Sequence, residues 1–88
     1  MIRRRAVVHG NVQGVFFRDS ARREAEKVGV AGWITNNSDG TVEAVFEGDE
    51  DAVETMLGFC REGPGRADVE RVEVSEEEPE GLEGFSVR

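Results

Sequence analysis

Residues 4–29, RRAVVHGNVQGVFFRDSARREAEKVG, decide the fold. The stretch changes its repeat in the middle. Over 4–10, Ala6 and Val8 alternate with Arg5, Val7 and His9, the two-residue period of a strand with one buried face. Over 17–28, Phe17, Ala21, Ala25 and Val28 recur at four- and three-residue steps, so one stripe of a helix is apolar. Gly29 stops that helix, because glycine enters the left-handed region cheaply. Between strand and helix lies Gly10-Asn11-Val12-Gln13-Gly14, a turn bounded by glycines.

Working outward, residues 30–36 and 41–47 predict two further strands. Val42, Ala44 and Phe46 alternate with Glu43, Val45 and Glu47, and Asn37-Ser38-Asp39-Gly40 supplies hairpin-turn chemistry. A second helix is expected over 50–61. Asp49 is its candidate N-cap, Glu50 and Asp51 suit its first turn, and Val53, Met56, Leu57 and Cys60 are its apolar stripe. Gly63-Pro64-Gly65 breaks the chain. Val72 and Val74 mark a fourth strand, and Phe85 and Val87 a short closing one. Strand–helix–strand–strand–helix–strand with right-handed crossovers predicts an α+β, ferredoxin-like split β-α-β sandwich. Its two helices cover one face of an antiparallel sheet. At 88 residues a single domain over 1–88 is expected. The first two strands then run the same way, so their C-terminal ends share one edge of the sheet.

Composition narrows the function. The formal net charge is −8, which disfavours nucleic acid and anionic membranes as partners. No apolar run approaches the ~20 residues of a membrane span, and no signal-peptide pattern follows the basic start. Cys60 is the only cysteine and His9 the only histidine, so neither a disulfide nor a metal cluster is expected. A cytoplasmic monomer is the expectation. Glu76-Glu77-Glu78 reads as a solvated loop, and Arg3-Arg4-Arg5 as a solvated N-terminal stretch.

The shared edge carries the candidate chemistry. The first N–H groups of a helix lack internal partners and carry partial positive charge. Gly10 and Gly14 permit unusual dihedrals and close backbone approach. Together they form a candidate nest for a phosphate-sized anion. Arg18 adds a permanent charge with a planar donor fork. Asn36, at the end of the second strand, adds a neutral donor and acceptor. No general base stands out, since Asp19 and Glu24 fit a solvated helix face.

Gly10-Asn11-Val12-Gln13-Gly14-Val15-Phe16-Phe17-Arg18 resembles the signature of the acylphosphatase family, Gly-x-Val-Gln-Gly-Val-x-Phe-Arg, at every fixed position. Gly32-Trp33-Ile34-Thr35-Asn36, followed by Asp39-Gly40-Thr41-Val42-Glu43, is similar to its second signature. The resemblance covers nearly the whole chain. It implies hydrolysis of small-molecule acyl phosphates without metal or organic cofactor, with inorganic phosphate as product and inhibitor. It also implies the roles. Arg18 would bind the phosphate, and the backbone amides of Gln13, Gly14, Val15, Phe16 and Phe17 would complete the cradle. Asn36 would orient the attacking water, and the substrate's own phosphate would accept the water's proton. Acylphosphatase-like domains also occur inside larger carbamoyl-transfer maturation proteins; a chain of this length is expected to be the free-standing enzyme.

The main competing reading is a non-catalytic anion or small-ligand binding module, which has no need of a water-orienting group at Asn36. An RNA-binding sheet would place exposed aromatics on the first and third strands. The first strand has none, and Phe46 alternates with core residues. His9 is expected on the uncovered sheet face and Cys60 in the core. Trp33 is expected to pack or to border the site. At least one of Phe16 and Phe17 should pack beneath the first helix.

Overall fold

The alternation over 4–10 is the middle of a longer strand, β1 (Ile2–Asn11). The computed structural model describes all of residues 1–88. After β1 come α1 (Phe17–Val28), β2 (Ala31–Asn36), β3 (Val42–Gly48), α2 (Glu50–Glu62), β4 (Asp68–Glu77) and β5 (Phe85–Val87). The sheet order is β4-β1-β3-β2-β5. β1–β3, β1–β4 and β2–β3 pair antiparallel, giving the expected split β-α-β sandwich. The closing strand β5 adds itself parallel to β2, Gly32 opposite Phe85 and Ile34 opposite Val87, so the complete sheet is mixed.

The two periods meet in one core. Ala6 and Val8 of β1, Ile34 of β2, and Val42, Ala44 and Phe46 of β3 are buried together with Phe17, Ala21 and Ala25 of α1 and Val53, Met56, Leu57 and Cys60 of α2. Phe17 packs edge-on against Phe59 of α2, with ring centroids 5.6 Å apart. This contact anchors the start of α1, and with it the preceding turn. Cys60 is buried, and desolvation pushes its thiol up to about 12, so it stays a packed core thiol. At α2 the Asp49 N-cap backbone is extended as expected, but its side chain makes no capping hydrogen bond. The acidic first turn, Glu50 and Asp51, supplies the favourable end charge instead.

The helix-free face departs from the sequence expectation. Arg3 and Glu47 are 5% and 1% exposed, neither of them solvated. Arg3 Nη1 donates to Glu47 at 2.7 Å and Arg3 Nε donates to Glu77 at 2.8 Å. Arg5 bonds Glu77 at 2.6 Å and also pairs with Glu43. Glu77 is thus part of β4 and of an ion network, not of a solvated loop. Val45 is buried in the same layer. Trp33 lies on this face between two guanidinium groups, those of Arg5 and Arg88, at 5.4 and 4.6 Å from its ring. His9 pairs there with Glu73.

Glu47 also accepts the backbone N–H groups of Glu80, Gly81 and Leu82, and so clamps the segment that leads to β5. Burial pushes its carboxyl up. The N–H of Glu80, the Arg3 guanidinium and the N–H groups of Leu82 and Gly81 outweigh burial and hold it at about 2. Because this carboxyl lies below its ordinary 4.5, its contribution to stability is full above pH 4.5 and is lost as pH falls toward 2. Glu47→Gln is expected to cost about 3 kcal/mol at pH 7, since it leaves the buried Arg3 charge without its main partner. Urea unfolding should also show the wild-type advantage shrinking between pH 4.5 and 2. An unchanged gap across that window would refute the clamp.

Candidate active site

The turn from β1 to α1 is built by two backbone departures. Gly14 has φ +73° and Phe16 has φ +63°, both left-handed. Glycine adopts this readily; phenylalanine does so at a cost of order 1 kcal/mol or more. Phe16 occupies the N-cap position of α1. Its side chain is 82% exposed, while the neighbouring Phe17 is 2% exposed. One of the two aromatics therefore packs, as expected. The other stands at the lip of the turn.

This geometry leaves a row of donors. None of the backbone N–H groups of Gln13, Gly14, Val15, Phe16 or Phe17 donates a hydrogen bond within the protein. Val15 is half-buried against the core, which fixes the middle of the loop. Consecutive free N–H groups at a helix start are a cradle for an anion. Beside them is a cavity of about 380 Å³ lined by Val12, Gly14, Phe16, Arg18, Arg22 and Asn36, among others. Val87 of β5 also borders it. The edge-sharing inferred from the sequence is thus observed: the loop after β1 and the last residue of β2 face one space.

Arg18 Nη1 donates to the backbone oxygen of Arg88 at 2.8 Å, a contact that orients the guanidinium and leaves its other N–H groups for a ligand. Asn36 Oδ1 is buried and accepts no hydrogen bond from the protein. A buried acceptor left in this way costs ~1–3 kcal/mol, and such exceptions concentrate at functional sites. Asp19 belongs to the same cavity but is occupied: Arg22 donates to it at 2.9 Å and Arg23 lies 2.7 Å away. The Arg22 hydrogen bond, assisted by the Arg23 charge, holds the Asp19 carboxyl below its usual range, which makes it a poor base. No group of three His, Cys, Asp or Glu side chains is placed to hold a metal ion.

Over residues 4–87 the chain matches the family model described as Acylphosphatase. The chain belongs to the acylphosphatase family. It is 60% identical over 80 residues to the acylphosphatase of Thermococcus kodakarensis, covering 91% of this chain and 88% of the relative. It is 56% identical over 85 residues to that of Rubrobacter xylanophilus, covering 96% and 77%. The crystal structure of the Bacillus subtilis acylphosphatase superposes with a TM-score of 0.96 at 37% identity, covering 100% of this chain and 99% of that one. The chain is accordingly an acylphosphatase, a hydrolase whose substrates are small acyl phosphates.

One link in this acylphosphatase site is absent from the sequence reading. The Gln13 side chain does not face the cavity as a ligand. Its Nε2 donates to the carbonyl oxygens of Asn37 and Thr41 at 2.8 and 2.9 Å. Gln13 therefore ties the cradle to the β2–β3 turn directly beyond Asn36. Asp39 stiffens that turn by accepting both the N–H and the hydroxyl of Thr41. The hint in the sequence is the fixed glutamine of the first signature, which a backbone-only role leaves unexplained. Gln13→Glu would set an acceptor against two carbonyls. We expect it to lower kcat/KM for benzoyl phosphate by about 10–100-fold through misalignment of cradle and asparagine. Wild-type kinetics in this variant would show the tie to be dispensable.

Proposed function

We propose that this acylphosphatase works by in-line attack of a water on a phosphate held by Arg18 and the backbone amides of residues 13–17, with Asn36 orienting the water. The observation that carries the reading is a row of five free backbone donors beside a cavity that Gly14, Phe16, Phe17 and Asn36 line, together with the buried, unpartnered Asn36 Oδ1. The donors suit the equatorial phosphate oxygens, and the lone acceptor suits a water proton. The water oxygen bonds to phosphorus as the bond from phosphorus to the acyl oxygen breaks. The carboxylate leaves with the bonding pair, and a non-bridging oxygen of the transferred phosphate takes the proton. A carboxylate is already a good leaving group, so positioning and charge stabilisation do most of the work. No general base is required, which fits an Asp19 engaged by two arginines.

On this reading residues 1–88 form one acylphosphatase domain, inorganic phosphate is both product and competitive inhibitor, and the protein works as a cytoplasmic monomer without a metal or organic cofactor. Hydrolysis of benzoyl phosphate, followed by ultraviolet absorbance with EDTA present, tests it. Turnover that EDTA leaves intact and phosphate inhibits supports the reading. A folded protein that binds phosphate without turnover would be the non-catalytic binding module.

A further inference from the structure

A second, larger cavity adjoins the first. It has a volume of about 750 Å³ and shares Gly14, Phe16 and Asp19 with the phosphate cavity. Its remaining wall comes from α1, through Arg23, and from the break after α2, through Pro64 and Arg66. Phe16 stands between the two spaces, held outward by its left-handed backbone. A phosphate seated on the cradle lies beside this ring, with the second cavity next to it.

The charge of the groove is opposite to that of the protein. The chain carries a net charge of −8, yet Arg18 and Arg22 line one of these joined cavities and Arg23 and Arg66 the other. Asp19 is the only carboxylate on either, and Arg22 and Arg23 both engage it. Arg66 makes no ion pair. A general negative field repels a polyanionic substrate, and a local cationic exit offsets that repulsion. Helix rise puts Arg23 roughly 7–8 Å along α1 from Arg18, so a second anion would sit several atoms from the phosphorus.

We propose that the groove bounded by Phe16, Arg23 and Arg66 is a subsite for the acyl half of the substrate, selecting acyl phosphates whose carbon skeleton carries a second anionic group. This rests on the acylphosphatase reading of the adjoining cavity. The flat apolar ring covers the carbon skeleton, Arg66 supplies the unpaired cation, and Arg23 adds a second, shared with Asp19.

The test compares benzoyl phosphate with 4-carboxybenzoyl phosphate, whose rigid ring holds a carboxylate away from the phosphorus. The ratio of their kcat/KM values is measured for the wild type, Arg66→Gln, and the Arg23→Gln/Arg66→Gln pair. The expected result is a ratio that falls about fivefold in Arg66→Gln and at least tenfold in the pair, with benzoyl phosphate kinetics of Arg66→Gln unchanged. The wild-type ratio should also fall in 0.5 M salt, as interactions between exposed charges do. A ratio that neither variant changes overturns the subsite, and so does an equal loss on both substrates. If wild type fails to hydrolyse benzoyl phosphate, the reading of the first cavity fails and the subsite falls with it.

Discussion

Arg18→Ala is expected to lower kcat/KM for benzoyl phosphate by about 10,000-fold and to abolish inhibition by inorganic phosphate, while the variant stays folded. Of the two arginines that line the phosphate cavity, Arg18 pairs with no acidic side chain, whereas Arg22 is spent on Asp19 and Glu26. Its one side-chain hydrogen bond is to the main-chain oxygen of Arg88, which leaves its other N–H groups for a ligand. Arginines placed on a transferring phosphoryl group are worth ~10³–10⁵ in rate. Arg18→Lys keeps the charge but loses the fork and the geometry that Arg88 fixes. It should recover no more than a tenth of wild-type kcat/KM. The fold should hold, since Arg18 is only half-buried and contributes nothing to the core. Steady-state kinetics, phosphate inhibition and circular dichroism together check the result. Inhibition of Arg18→Ala by phosphate at wild-type strength would remove Arg18 from the binding role.

Much of this molecule is legible in its sequence because apolar periodicity reports burial directly. The stripe Phe17, Ala21, Ala25 and the alternation Val42, Ala44, Phe46 mark core residues that the structure buries. The glycine turn, Arg18 and Asn36 are legible as a site because the strand order brings them to one edge. The helix-free face is not legible. A charged residue at every second position reads as a solvated face, yet Arg3 reaches Glu47 and Glu77, 44 and 74 positions away. Only the register of β1 with β3 and β4 makes those pairs, opposing Arg3 to both glutamates at once. The same holds for Gln13, whose two acceptors lie 24 and 28 positions further on. Phe16 and Phe17 are equivalent in composition. The left-handed turn at residue 16 decides which one packs.

On the proposed mechanism, stability and catalysis pull in opposite directions at Asn36. Its Oδ1 is buried and bonds to nothing in the protein, and the residue lines the cavity. If Asn36 were a simple turn residue, its side chain would cap the hairpin, and removing it would cost stability. The hairpin is closed without it: Asn37, Asp39 and Thr41 make the side-chain bonds, and Gln13 holds the turn from outside. Asn36→Ala deletes an unsatisfied acceptor, so we expect stability unchanged or raised by up to ~1 kcal/mol in urea unfolding. Turnover should behave oppositely. Loss of the group that aligns the water is expected to lower kcat by about 100–1,000-fold. The inhibition constant for phosphate should move by less than about threefold, because the cradle and Arg18 are untouched. That split is the signature of an interaction made only in the transition state. Equal losses in phosphate affinity and turnover would make Asn36 a ground-state ligand. A destabilised variant with normal turnover would return it to the hairpin.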